Sequence, residues 1–219
     1  MLLLLAVPFV QKVAAPRPVL VQTCDPAHFI AKAYQDLLGR PINVAGLQYW
    51  QAAITNGTTR AQVASQLLHT PEYANARVQT FYNAYLHRPA DGSAIAYFSP
   101  MLQHGGTSEQ IEALILASPE YFTRRGGGTN PGFIAALYQD VLGRVADPQG
   151  SALFVGQLGA GASRTTIAQQ VLSSPEARQR AINAAYMKYL HHGAPGSALG
   201  FGYDQIVETI IGSDEYCAH

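Results

Sequence analysis

Apolar side chains recur along this chain with the spacing of a helix. Around Tyr34 they are Phe29, Ile30, Ala33, Tyr34, Leu37 and Leu38; around Tyr138 they are Phe133, Ile134, Leu137, Tyr138, Val141 and Leu142. Both sets trace one face of an α-helix, not alternate faces of a strand. Gly39 and Gly143 follow the stripes, and glycine enters the left-handed conformation that ends a helix at little steric cost. Beyond each stripe stands an arginine with a turn-former after it: Arg40 with Asn43, Arg88 with Asp91, Arg144 with Asp147. An Asx oxygen there accepts from the unpaired N–H groups of a second helix. That helix carries Trp50, Phe98 or Phe154 and ends in glycine. A third helix begins at Thr59, Thr107 and Ser163, with Gln62 and Gln110 placed to close capping boxes. It hands over through Thr70-Pro71-Glu72, Ser118-Pro119-Glu120 and Ser174-Pro175-Glu176. A capping hydroxyl, proline in the first turn and glutamate beside the positive helix end make a strong start for the next helix.

The anchor tyrosines Tyr34, Tyr82, Tyr138 and Tyr186 mark four copies of this unit, and such a period suits a helical array. The pattern predicts an all-α protein of four tandem three-helix repeat units. The first and third share Tyr-Gln-Asp-x-Leu-Gly-Arg, and the second and fourth share Tyr-x-x-Tyr-Leu-His. A pair of units was therefore duplicated, giving two pseudo-equivalent halves. The expected division is a signal-like segment at 1–23, a first repeat pair at 24–125, a Gly-rich linker at 126–132 and a second pair at 133–219. The fourth unit is degenerate, with Pro195 at the capping position and Gly193, Gly196, Gly200 and Gly202 in its second helix. The anchor tyrosines are expected in the core, with their hydroxyls bonded to a neighbouring unit.

Composition narrows the function. Only 13% of residues are charged, about half the usual 25% or so. The surface is therefore finished with uncharged polar groups and tolerates docking or self-association. Lys+Arg and Asp+Glu both number 14, so no global field attracts nucleic acid or anionic lipid. Met1 to Val10 is almost wholly apolar, too short to span a bilayer but suited to a signal peptide cleaved near Val13-Ala14-Ala15. Export is the expectation, to the periplasm, cell surface or medium, with no transmembrane span after signal removal. Cys24 and Cys217 flank the repeats and are a disulfide candidate in an oxidising compartment; the alternative is two unpaired thiols in terminal tails.

Tyr-x-x-x-Leu-Gly-Arg-x-x-Asp/Asn-x-x-Gly, an aromatic helix and then Ser/Thr-Pro-Glu resembles the bacterial domain-of-unknown-function 4214 family. The residues are Tyr34 to Gly46 with Trp50 and Thr70-Pro71-Glu72, and Tyr138 to Gly150 with Phe154 and Ser174-Pro175-Glu176. The resemblance covers residues 28–219, is weaker where His87 replaces the glycine, and is weakest in the fourth unit. It is distantly similar to phycobilisome linker domains. It implies a helical domain of exported or cell-surface proteins, and it implies no enzymatic activity and no catalytic residues.

The remaining constellations give no chemistry of their own. The recurrent Arg and Asx pairs offer too few oxygens for a calcium site, which takes about six to eight. The seven histidines show no paired metal spacing, so no metal or cofactor is expected. His87 and His191 are placed to cap helix C-termini. Asp36 and Asp140, with Glu72 and Glu176, would serve acid–base catalysis only if two of them faced each other across a cleft. Tyr49, Trp50, Tyr97 and Tyr203 are the candidate ligand-binding residues, since aromatic faces bind sugars and proteins alike. The expected function is a non-catalytic interaction or structural module binding a protein or polysaccharide at the cell envelope. The alternative is a carbohydrate-active enzyme or accessory subunit with a cleft between the halves; a third reading is an assembly linker.

Overall fold

A computed structural model describes residues 24–196 and 200–218. The expected signal segment at 1–23 lies outside the described residues. α1 (Pro26–Leu38) is capped by Asp25, whose carboxylate accepts from the N–H of Ala27 and His28, and it closes on Gly39 in the left-handed region. α2 (Val44–Thr55) and α3 (Arg60–Leu68) complete the first unit. α4 (Pro71–Phe81) runs on as a π-helical turn, Tyr82–Leu86, before α5 (Gly92–Gln103) and α6 (Ser108–Leu116). α7 (Pro119–Arg124) is short. α8 (Asn130–Leu137), a second π turn at Tyr138–Leu142, α9 (Pro148–Gly159) and α10 (Arg164–Leu172) follow. α11 (Pro175–Leu190), α12 (Tyr203–Gly212) and α13 (Asp214–Ala218) end the chain. Among the described residues there is no strand. The caps are those the sequence implies: Asn43, Asp91 and Asp147 accept from the N–H of Gly46, Ala94 and Gly150 at 2.7, 2.8 and 2.7 Å, and Thr59 and Thr107 close capping boxes with Gln62 and Gln110.

Two buried clusters form the core, and they do not follow the two halves. One runs from Ala74 to Ala177 and joins the second and third units. The other joins Phe29–Leu68 of the first unit, with Tyr73 from the start of α4, to Ile182–Cys217 of the fourth. Third helices pair across these cores, α6 with α10 and α3 with α12. The expected linker is a packed turn: Gly126 is buried, and a Cβ there would lie 2.8 Å from the Phe122 carbonyl and 2.9 Å from Phe133 Cα. Asn130-Pro131-Gly132 already belongs to α8. The turn is an insertion that splits one long first helix, of the kind α11 keeps whole, into α7 and α8.

The chain closes on itself. Tyr121 of α7 donates its hydroxyl proton to Asp140 at 2.8 Å and lies edge-on to Phe133 at 6.1 Å. Tyr216 of α13 does the same with Asp36 at 2.7 Å and Phe29 at 6.3 Å. Thus α13 meets α1 as α7 meets α8. At the inner junction the Gly128 N–H bonds the Phe122 carbonyl at 2.9 Å. At the outer one, Cys24 and Cys217 stand at the matching positions and form a disulfide, Cα atoms 5.6 Å apart. The disulfide holds the ends where the inner junction has a continuous turn.

Candidate functional site

The repeated polar residues are clasps between helices. Arg88 grips Glu120 with two nitrogens at 2.8 and 2.6 Å, and Arg144 grips Glu176 at 2.6 and 2.8 Å. Arg40 grips Glu72 in the same way. Each third guanidinium nitrogen donates to the carbonyl one residue on, and each guanidinium lies over its anchor ring, Tyr34, Tyr82 or Tyr138, at 5.3, 5.0 and 5.2 Å. The arginine hydrogen bonds hold the Glu72, Glu120 and Glu176 carboxyls below the usual range. In the fourth unit His192 takes the arginine position: its ring lies 5.7 Å from Tyr186, and Nε2 meets Glu215 at 2.7 Å. These pairs stand at a constant interval of 32 residues in the first three units. That interval was the readable signal for the clasp, and a capping role for glutamate alone misses it.

The Tyr34 hydroxyl bonds within its own unit, where the sequence predicts a neighbouring one. Tyr34 accepts from the Trp50 indole N–H of its own unit at 2.9 Å. Trp50 is therefore a buried packing residue. Tyr49 on α2 and Tyr97 on α5 are 62% and 64% exposed, each edge-on to the ring beside it. Tyr203 alone of the four candidate aromatics lines the cleft between the two cores. Asp36 and Asp140 are held by Tyr216 and Tyr121, and also by Lys32 and Arg125 at 2.7 and 2.8 Å. The described residues contain no cluster of three or more His, Cys, Asp or Glu able to hold a metal.

The cleft lies where the two cores meet and has a volume of about 230 Å³. Phe81, Val141 and Leu172 line it from one core, Ile182 and Tyr203 from the other. Arg77 is its fixed point. The guanidinium stacks between Phe81 and Tyr203, 4.4 Å from each ring, donates to Ser108 Oγ at 3.3 Å and lies 3.8 Å from Glu112. Ser108 also donates its hydroxyl and N–H to Asp204 at 2.8 and 3.0 Å, and the Tyr203 N–H donates to Glu109 at 2.8 Å. These bonds lock the start of α12 onto the start of α6. Burial pushes the Glu112 carboxyl up to about 7, against the pull of Arg77. Burial also raises Tyr85 and Tyr203. The two π turns border the cleft, with Tyr85 in one and Asp140 and Val141 in the other; π turns often mark functional sites.

The opening has a cause in the repeat. Counting from the anchors Tyr82 and Tyr186, Tyr73, Arg77, Thr80 and Phe81 of α4 correspond to Ala177, Ala181, Ala184 and Ala185 of α11. Ala177, Ala181 and Ala184 line the cleft, so α11 leaves empty the space that α4 fills.

No curated protein and no solved structure matches this chain. Residues 20–77 and 112–181, more than half of the chain, match the family described as a domain of unknown function, DUF4214. The helix–Asx–aromatic helix–Ser/Thr-Pro-Glu units and their Tyr–Arg–Glu clasps fall largely within those stretches, and the chain belongs to the DUF4214 family.

Proposed function

We propose that this chain is a non-catalytic binding module of an exported bacterial protein, secreted, periplasmic or at the cell surface, with a protein or polysaccharide partner. One observation carries the non-catalytic half: the recurrent carboxylates are committed to the fold. Glu72, Glu120 and Glu176 each grip an arginine, and Asp36 and Asp140 each accept from a tyrosine and a cation. A carboxylate so held is a clasp between helices and is poorly placed to exchange protons with a substrate. The Cys24–Cys217 pairing supports an oxidising compartment. No described helix is long and apolar enough to cross a membrane. The test is a pull-down from the envelope fraction with residues 24–219 as bait, bound protein and glycan both read by mass spectrometry. A specific partner is expected. Turnover of a substrate that depends on Asp36 or Asp140 would overturn the reading.

A second reading, a carbohydrate-active enzyme, is favoured by Glu112 alone, a cleft carboxyl that titrates near 7 and so has the proton affinity of a general acid. Asp140 lines the same cleft but is held by Tyr121 and Arg125. Polysaccharide turnover that is lost in Glu112→Gln would establish this reading.

A further inference from the structure

We propose that the cleft between the two cores, continued by the groove along α6 and α10, binds a neutral oligosaccharide. The inference rests on the binding-module reading and names its ligand. Four independent features carry it, beginning with the shape. The cleft of about 230 Å³ opens past Glu109, Arg178 and Phe201 into a groove of about 490 Å³. On the same measure one water needs only about 10–15 Å³, so the inner space takes a ring-sized group and the outer groove takes its extension. A short chain laid along cleft and groove fits this shape better than a compact ligand does.

The second feature is the origin of the space. α11 carries alanine at each matched position where α4 carries Tyr73, Arg77, Thr80 and Phe81. A core that loses such volume relaxes only partly around the deficit. Here the walls are held apart, because Arg77, Ser108 and Asp204 brace α4, α6 and α12 by directed bonds. The result is a standing opening.

Charge is the third feature. Arg77, Arg178 and Arg180 line the cleft together with Glu109, Glu112 and Asp140, and Glu112, raised to about 7, carries only part of a charge near neutral pH. The two signs nearly balance, so the site pulls only weakly on an anion or a cation, and an uncharged ligand is the one it penalises least. The fourth feature is the outer surface. Gln110, Thr166, Gln169, Gln170 and Ser173 line the groove. Their amides and hydroxyls both donate and accept, as neighbouring sugar hydroxyls require. At the rim shared by cleft and groove, Phe201 is 57% exposed. An exposed ring there offers an apolar face to the C–H face of a sugar.

The test is isothermal titration of the full chain with cellotriose, maltotriose and tri-N-acetylchitotriose, with trigalacturonate as the anionic control. Saturable binding of at least one neutral trisaccharide is expected, and none of trigalacturonate. Ala181→Leu, which refills the inner cleft, should weaken binding about ten-fold or more, the loss of one well-packed contact set. Phe201→Ala should weaken it too while leaving the melting temperature unchanged, since an exposed ring contributes nothing to the core; this variant decides the matter even if Ala181→Leu fails to fold. Binding of trigalacturonate alone, binding of no trisaccharide, or binding that both substitutions leave unchanged would overturn the proposal. A protein captured from the envelope by a chain that binds none of the sugars would overturn it too, yet leave the binding-module reading standing. A chain that captures nothing and binds nothing would sink both.

Discussion

At the scale of single residues, the left-handed helix ends separate the two kinds of unit. Gly39 and Gly143 both sit at φ 70°, but His87 and His191 occupy the same place at φ 52° and 59°. A Cβ costs energy in that region, and glycine does not. Gly39→Val is therefore expected to destabilise by more than about 1 kcal/mol, even though a Cβ at Gly39 meets nothing within 4 Å. His87→Gly is expected to stabilise by up to about 1 kcal/mol. Urea denaturation of both variants checks the pair, and an unchanged midpoint in either would mean the strain is relieved locally. Glu112 makes the stability depend on pH with an unusual sign. Its folded-state value, about 7, lies above the ordinary 4.5. The folded state thus holds the proton more tightly, so this contribution is complete below 4.5 and is lost as pH rises through about 7. Glu112→Gln should flatten the fall in stability between those two pH values. Glu72, Glu120 and Glu176 act in the opposite direction, because their values are lowered. Their contribution is present above 4.5 and is lost as pH falls through their folded-state values.

At the scale of the element, each unit is started by a cap and held by a clasp. Thr70 accepts from the Tyr73 N–H through its hydroxyl, and Ser118 and Ser174 do the same for Tyr121 and Ala177. Thr70→Ala should cost about 1 kcal/mol by removing the acceptor at the start of α4. The fourth unit shows what the clasp contributes by changing it. His192 faces Glu215 and the Gly193 carbonyl, and those two hydrogen bonds raise its value above 6.5. A raised histidine stabilises fully below its unfolded value of 6.5 and ceases to do so as pH rises through the folded one. An arginine keeps its charge throughout and presents a fork that histidine lacks. His192→Arg is expected to melt higher than the parent at about pH 8 and close to it at about pH 5.5. A melting temperature raised equally at both would mean that the fork, not the charge, sets the difference.

At the scale of the whole molecule, the described helices make a closed body in which α13 docks on α1. The Cys24–Cys217 bond closes a loop with a sequence separation of 193, worth about 5 kcal/mol in the chain-entropy model. Reduction should lower the melting temperature without changing the helical signal at low temperature, because Tyr216 and Asp36 still join α13 to α1. A chain unfolded at low temperature after reduction would show that this docking depends on the covalent link. Part of this protein was legible in its sequence: the all-helical class, the caps, the breaks, and Cys24 with Cys217 as a disulfide candidate. Those features are local. They follow from the period of apolar positions and from short-range capping chemistry, which act within a few residues of each other. The pairing of units was not legible. The sequence grouped neighbours, first with second and third with fourth, because similarity records duplication. The tertiary structure instead joined second with third and first with fourth, because burial is decided by which apolar faces meet when the chain closes. The cleft belongs to the same category. Arg77, Glu112 and Tyr203 lie on three different helices, and the alanines of α11 read as ordinary helix formers. Only packing turned their missing side chains into a space.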